Sequence, residues 1–134
     1  MLLENRVAIV TGGSSGIGRG ICLELAKEGC QITVADLDET PRRGKYHDTD
    51  VTTPTVQEVE KLGKKGLFVQ ADMGDEDNIQ QVVSETVREF GRVDILVNNA
   101  GIHIPGNTQE LLTADWDRVE DVNLKGPFLA IKYA

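Results

Sequence analysis

The sequence predicts an α/β protein of the Rossmann type, in which a parallel sheet of about four strands lies between two layers of helices. Two observations carry this prediction. Short apolar segments alternate along the chain with segments whose apolar residues recur at helical spacing. The short segments are unbroken apolar runs, as is typical of parallel strands buried on both faces. With right-handed crossovers, the first four strands of such a sheet lie in the order 3-2-1-4.

The strands and helices follow from this alternation. The predicted strands are residues 6–11, residues 32–35 with Asp36 at their end, residues 67–69 and residues 95–97. The predicted helices are residues 17–26, residues 54–62, residues 75–91 and a last helix capped by Thr113. Trp116, Val119 and Val122 are placed on the buried face of that last helix, and residues 37–55 are predicted to be mostly a loop. We expect the helices after the first two strands on one face of the sheet and the helix before the fourth strand on the other.

Composition sets the class of protein and excludes several partners. The chain has 134 residues, of which 40% are apolar and 27% charged, so one globular domain over residues 1–134 is expected. A net charge of −8 argues against a nucleic-acid partner. No apolar run is long enough for a membrane span, and no signal peptide or cluster of metal ligands is predicted. Cys22 and Cys30 are interpreted as inert thiols of a cytoplasmic protein.

A glycine-rich turn joins the first strand to the first helix. It reads Thr11-Gly12-Gly13-Ser14-Ser15-Gly16-Ile17-Gly18, which differs in spacing from Gly-x-Gly-x-x-Gly but suits the same purpose. Glycine lets the backbone turn sharply and approach a ligand closely. The helix start then offers unpaired N–H groups to phosphates, and Ser14 and Ser15 add hydroxyl donors. The alternative is an ordinary glycine-rich turn without a ligand.

Asp36 ends the second predicted strand and bears on the choice of dinucleotide. A carboxylate there can accept hydrogen bonds from both ribose hydroxyls of adenosine and would repel a 2′-phosphate, which favours NAD over NADP. The alternative is an Asp that only caps the following turn. Arg42 and Arg43 could meet a 2′-phosphate, but the sequence places them deep in the loop, so Asp36 is given more weight.

Two motifs together resemble those of the classical short-chain dehydrogenase/reductase family. They are Thr11-Gly12-x-x-x-Gly16-x-Gly18 and Asn98-Asn99-Ala100-Gly101, and the resemblance extends from Arg6 to Ala134. It implies that Asp72, with the Met73 backbone, meets the adenine ring. It also implies that residues 98–101 steady the sheet and line the ribose, and that Asn123 is the active-site asparagine. A non-basic Ser15 agrees with a preference for NAD.

Pro127 supports the role of Asn123 independently. An α-helical N–H bonds to the carbonyl four residues earlier, and Pro127 has no N–H, so the Asn123 carbonyl loses its helical partner and a kink is expected there. A free carbonyl can hold a water, and the family is thought to relay protons through such a water. The alternative is a simple helix break. His103, two positions after Gly101, could face a substrate, but a solvent-exposed loop histidine is the favoured interpretation.

Other family residues are absent from the sequence. The resemblance implies a catalytic serine and a Tyr-x-x-x-Lys pair, but Tyr46 is followed four places later by Asp50 and Tyr133 is penultimate. Family members run to about twice this length. The fourth strand would then be an unpaired edge, so a fragment, an incomplete gene product or a self-associating chain is expected. The leading hypothesis is an NAD(P)-dependent oxidoreductase acting on a small carbonyl or alcohol substrate, as a dimer or tetramer. The alternative is a catalytically silent dinucleotide-binding module.

Overall fold

The computed structural model describes residues 1–44 and 51–134 and has a four-stranded parallel sheet at its centre. The strands are β1 (Val7–Thr11), β2 (Gln31–Asp36), β3 (Gly66–Gln70) and β4 (Ile95–Val97), in the order β3-β2-β1-β4. The helices are α1 (Gly16–Lys27), α2 (Thr55–Lys61), α3 (Glu76–Phe90), α4 (Thr113–Glu120) and α5 (Gly126–Tyr133), and a π-helical segment, Asp121–Lys125, joins the last two. The predicted fold class and strand order are confirmed.

β1 is one of the two inner strands of the sheet and is buried along its whole length. All five of its residues are buried, as its unbroken apolar sequence predicts. It pairs with β2 from Val7 opposite Gln31 to Thr11 opposite Ala35, and with β4 through three residue pairs. The carboxyl ends of the strands consequently meet at one edge of the sheet, where the glycine-rich turn begins.

Two separate apolar cores cover the two faces of the sheet. Side chains alternate along β1, so that Ala8 and Val10 face α1 and α2, whereas Ile9 faces α3 and α5. The first core also contains Cys22, Ala26 and Val59, among others, and the second also contains Val69, Ile79, Val82 and Leu129. The predicted placement of the helices is therefore confirmed.

The third helix shows how local sequence signals set its boundaries. The carboxylate of Asp75 accepts a hydrogen bond from the N–H of Asn78 and caps the first turn. Gly91 ends the helix in the left-handed conformation, with φ of 81°. Both ends lie where the sequence predicts them.

The segment after β4 departs from the prediction in two ways. Thr113 is the first residue of α4 and Leu112 holds the cap position, so the predicted cap is wrong by one residue. Trp116 is 58% exposed rather than buried, and α4 has no buried residue of its own. Val119 is half-buried and Val122 is buried, as expected.

The irregularity predicted at Asn123 takes a specific form. The helix does not stop before Pro127 but widens into the π-helical segment, in which the N–H of Gly126 bonds to the carbonyl of Asp121, five residues earlier. Such single π turns often occur at functional sites.

Within the two described ranges, no helix has the length and apolar character that a membrane span requires.

Candidate functional site

A cavity of about 340 Å³ opens at the carboxyl ends of the strands. Residues of the glycine-rich turn form one side, and the segments that follow β2, β3 and β4 form the rest. This is the edge at which open α/β sheets bind their ligands. The cavity therefore lies where the sequence predicts a dinucleotide site.

The glycines of the turn are required for different reasons. Gly12 has φ of 67°, and a side chain there would meet the Asn99 amide nitrogen at 2.9 Å. A Cβ on Gly18 would lie 2.2 Å from the carbonyl oxygen of Gly12, so Gly18 allows α1 to pack against the turn. Gly16, with φ of 54°, is at the first position of α1 and lines the cavity.

The amino terminus of α1 is open to a ligand. Ser15 occupies the cap position but makes no side-chain capping bond, and no acidic residue lies in the first turn. The Ser15 hydroxyl instead accepts a hydrogen bond from the N–H of Arg42, with 2.6 Å between Oγ and N. The N–H groups of the first turn thus keep their capacity to bind an anion.

Ser14 takes part through its backbone. Its side chain is buried, with 2% exposed, and the hydroxyl has no hydrogen-bond partner among the described residues. Its N–H donates to Oδ2 of Asp36 at 3.1 Å. Ser14 thus holds the Asp36 carboxylate in place rather than lining the cavity.

The Asp36 carboxylate lines the cavity with both oxygens engaged by the backbone. Oδ2 accepts from Ser14, and Oδ1 accepts from the N–H of Leu37 at 2.8 Å. These two donors fix the orientation of the carboxylate at the end of β2. Arg42 lines the cavity as well, although the sequence placed it deep in the loop, whereas Arg43 lies on the exposed surface away from the lining.

A group of hydrogen bonds joins the end of β1 to the segment after β4. The Thr11 hydroxyl donates to the carbonyl of Val97 and accepts from the N–H groups of Asn99 and Ala100, at 3.1 and 3.0 Å. The Asn99 side-chain amide donates to the carbonyls of Thr11 and Gly12. Thr11 was not among the predicted site residues, although its position at the end of a buried strand is a signal for this role.

Asp72 forms an ion pair with a residue of α4. Its Oδ1 accepts hydrogen bonds from the Gly74 N–H at 2.8 Å and from the Arg118 guanidinium at 3.0 Å. Partial burial works to raise the pKa of Asp72, but these hydrogen bonds and the charge of Arg118 outweigh it and hold the pKa below its usual value. Asp72 is therefore ionised at neutral pH, and Arg118 becomes part of the cavity wall.

Asn123 connects the π-helical segment to the loop after β4. Its Oδ1 accepts from the N–H of Ile102 and its Nδ2 donates to the carbonyl of Ile102, both at 2.8 Å. The side chain is thus used to hold Ile102, which lines the cavity, and Asn123 itself is not in the lining. The family motif signals the position, but the sequence does not reveal this pairing.

The structure brings most of the predicted site residues together. Those that line the cavity are Gly12, Ser15, Gly16, Ile17, Asp36, Asp72, Met73, Asn99, Ala100 and Gly101. Ser14, Gly18, Asn98 and Asn123 lie outside the lining, and so does His103, which is exposed. Leu37, Arg42, Ala71, Ile102, Arg118 and Val122 line it without having been predicted as site residues. Residues 45–50, which include Tyr46, His47 and Asp50, lie outside the described residues. No cluster of potential metal ligands occurs in the described part of the chain.

A parallel sheet in this order, with its cavity beside a glycine-rich turn, defines a Rossmann-type nucleotide-binding protein. A sequence model of the short chain dehydrogenase family matches residues 6–134. The chain belongs to the short chain dehydrogenase family, as the two motifs indicate.

The relatives are oxidoreductases of about twice this length. The hydroxy(phenyl)methyl-succinyl-CoA dehydrogenase subunit BbsD of Thauera aromatica is 39% identical over 129 residues, which cover 96% of this chain and 48% of that protein. The 3-oxoacyl-(acyl-carrier-protein) reductase FabG of Staphylococcus epidermidis is 37% identical, with 96% and 49% covered. A Burkholderia cenocepacia short chain dehydrogenase in complex with NADP superimposes with a TM-score of 0.84 at 31% identity, covering 100% of this chain and 51% of that one. The chain thus spans about half the length of the proteins it matches.

Proposed function

We propose that residues 1–134 form the dinucleotide-binding domain of an oxidoreductase that transfers hydride between a nicotinamide cofactor and a small carbonyl or alcohol substrate. The observation that carries the proposal is the amino terminus of α1. The first turn has no side-chain cap and contains no acidic residue, and its amides face a cavity at the carboxyl ends of the strands. This donor set fits a pyrophosphate, because N–H groups and the helix dipole both favour negative charge.

The other parts of the dinucleotide are assigned to the rest of the cavity. Asp36 would accept hydrogen bonds from the adenosine ribose hydroxyls, which gives the preference for NAD over NADP. Asp72 and the Met73 backbone would meet the adenine ring, and residues 98–101 would line the second ribose. What supports these assignments is that Asp36, Asp72 and Met73 line a single cavity with the glycine-rich turn.

Asn123 is proposed as the catalytic residue that this chain supplies. Its side chain is committed to Ile102, so the group left for catalysis is its backbone carbonyl. Pro127 has no N–H with which to complete the α-helical bond to that carbonyl. The carbonyl would hold a water through which a proton leaves or reaches the substrate oxygen. A nicotinamide dinucleotide in the cavity would supply the hydride chemistry.

The second candidate is a dinucleotide-binding module that is catalytically silent. The observation in its favour is that no Tyr-x-x-x-Lys pair occurs within these 134 residues. The first candidate would convert substrate and the second would not, whereas both would bind the dinucleotide. Oxidation of NADH by the purified 134-residue protein with small ketones or aldehydes would eliminate the silent module.

The test of the shared proposal is a calorimetric titration with ADP-ribose, NAD and NADH. ADP-ribose carries the pyrophosphate and both riboses, so it reports on the cavity independently of hydride transfer. Saturable binding of all three is expected. Well-folded protein that binds none of them would overturn the proposed function.

The remaining expectations concern partners and location. A small molecule is the proposed substrate, and the exposed apolar side chains of α4 and α5 are the proposed contact between subunits of a dimer or tetramer. Cys22 and Cys30 are both free and buried, and burial raises the pKa of the Cys22 thiol to about 12, so it stays protonated. Two free thiols are compatible with the proposed cytoplasmic location.

A further inference from the structure

The peptide group between Gly13 and Ser14 is held by hydrogen bonds at both of its ends. Its carbonyl oxygen accepts from the Thr55 hydroxyl, with 2.9 Å between the two oxygens, and its N–H donates to Oδ2 of Asp36 at 3.1 Å. A trans peptide is planar, so its C=O and N–H point in opposite directions and turn together. A contact that fixes the Gly13 carbonyl therefore also fixes the N–H that binds Asp36.

The Thr55 hydroxyl is committed to this carbonyl. Thr55 is the first residue of α2 and is 1% exposed. Its oxygen accepts a hydrogen bond from the Arg19 guanidinium at 3.1 Å. Because a guanidinium has no acceptor and a hydroxyl has a single hydrogen, that hydrogen is left to point at Gly13. The Cys22 thiol is a second and weaker donor to the same carbonyl, with 4.0 Å between Sγ and the oxygen. Thr55 is therefore the main donor that orients this peptide group.

The Asp36 carboxylate depends on the same peptide group for its orientation. Its Oδ1 is held by the N–H of the next residue, Leu37, and its Oδ2 by the N–H of Ser14. Among the described residues, no cation forms an ion pair with Asp36. If the peptide turned over, the Gly13 carbonyl oxygen would face the carboxylate, and two acceptors cannot bond to each other. Loss of the Thr55 hydroxyl thus frees one side of a carboxylate that lines the cavity.

We propose that Thr55 is a positioning residue for the adenosine ribose. Its hydroxyl sets the peptide between Gly13 and Ser14, whose N–H holds the Asp36 carboxylate where it accepts hydrogen bonds from the ribose hydroxyls. The proposal deepens the proposed function and rests on it. Thr55 is not among the described residues that line the cavity, so it acts through one peptide group and not by touching the dinucleotide. Helix α2 thereby contributes to ligand selectivity although its first residue lies outside the cavity.

The test compares the affinity for NAD with the affinity for its analogue that lacks the 2′-hydroxyl on the adenosine ribose, by calorimetry on the 134-residue protein. A carboxylate that accepts from that hydroxyl should make wild-type protein bind NAD about tenfold more tightly than the analogue. Thr55→Val keeps the shape of the side chain without the hydroxyl, and the ratio of affinities should fall to about twofold. Thr55→Ser keeps the hydroxyl and should retain the wild-type ratio. A general loss of stability leaves the ratio unchanged, because it lowers the apparent affinity for both ligands by the same factor.

Thr86→Val is the matched control for the loss of a buried hydroxyl. Thr86 is 0% exposed in α3, and its hydroxyl bonds to the Val82 carbonyl and to Thr33, away from the cavity lining. This variant should keep the selectivity of about tenfold. Thr55→Ala also lacks the hydroxyl and gives the same measurement where Thr55→Val does not fold.

The other outcomes separate this inference from the proposed function. An unchanged ratio in the variant without the hydroxyl would overturn the inference and leave the proposed function intact. An equal fall in Thr86→Val or Thr55→Ser would do the same, because the effect would then not depend on the Thr55 hydroxyl. Wild-type protein that binds NAD and the analogue equally well would also overturn it, since Asp36 would not receive the 2′-hydroxyl. Wild-type protein that binds neither ligand would overturn the proposed function itself.

Discussion

At the scale of single residues, the glycine-rich turn combines two requirements that the sequence motif does not separate. Gly18 is needed for packing, because a Cβ there would overlap the carbonyl oxygen of Gly12. Gly16 is needed for its φ of 54° and lies in the cavity lining. The motif is therefore part scaffold and part binding surface, and substitutions at its glycines should separate the two.

Gly16→Ala should abolish or strongly reduce dinucleotide binding at a modest cost in stability. A left-handed conformation costs an alanine about 1–2 kcal/mol, and the new methyl group would lie where the pyrophosphate approaches. The matched control is Gly63→Ala, since Gly63 has φ of 81°, open space around its Cβ position and no place in the lining. Denaturant unfolding should show similar losses for both variants. Titration with ADP-ribose should show lost affinity only for Gly16→Ala, and equal affinities would contradict the role of the turn.

Asp36→Ala should weaken NAD and relieve the rejection of NADP. The variant removes two ribose-accepting oxygens together with the charge that repels a 2′-phosphate, so NAD affinity should fall about tenfold. Asp38→Ala is the control, because Asp38 is also an acid after β2 but binds the N–H of Thr40 and lies outside the cavity lining. Wild-type protein that prefers NADP to NAD would show that Asp36 does not set the selectivity.

At the scale of elements, the site is built from the ends of strands that are joined by side chains. The Thr11 hydroxyl accepts hydrogen bonds from the N–H groups of Asn99 and Ala100. The N–H of Asn99 also bonds to the carbonyl of Val97, whereas the N–H of Ala100 has no other partner among the described residues. Thr11→Val keeps the shape of the side chain and should cost about 1–3 kcal/mol of unfolding free energy, because it removes three hydrogen bonds and leaves the half-buried N–H of Ala100 without a partner. Thr33→Val, another buried strand threonine, has one described hydrogen bond and should cost less. An equal or smaller loss for Thr11→Val, measured by urea unfolding, would refute this role.

The ion pair between Asp72 and Arg118 joins the segment after β3 to α4 and should make stability depend on pH. The pKa of Asp72 is lower in the folded protein than its ordinary value of 3.8. Its contribution is therefore present above that ordinary value and is lost as the pH falls through the folded pKa. Arg118→Gln should reduce stability at neutral pH and should flatten the acid limb of the stability profile. Profiles of the same shape for both proteins would exclude the ion pair as a cause.

At the scale of the whole molecule, helices and strands can be predicted from the sequence far better than the contacts of loops and of helix faces. A strand can be recognised from its own residues, as the unbroken apolar run from Val7 to Val10 shows. The approach of Arg42 to Ser15 is not local, because a loop can bring a residue to many places at similar cost. The prediction that Trp116 is buried is wrong for a related reason. Helical spacing identifies an apolar face, but it does not say whether the same chain covers that face.

The uncovered apolar face leads to a prediction about assembly. Leu112, Trp116, Leu124, Phe128 and Ile131 are each 58–68% exposed along the segment from α4 to α5. A surface of this kind is costly to leave in water, so the 134-residue protein should self-associate at micromolar concentrations. Phe128→Ser should shift the equilibrium toward monomer, because it removes a large side chain from the middle of the face. Leu2→Ser removes an apolar side chain that is 88% exposed at the other end of the chain, and should leave association unchanged. Sedimentation velocity over a range of concentrations distinguishes the two, and a wild-type protein that stays monomeric throughout would show that this face is not a contact between copies.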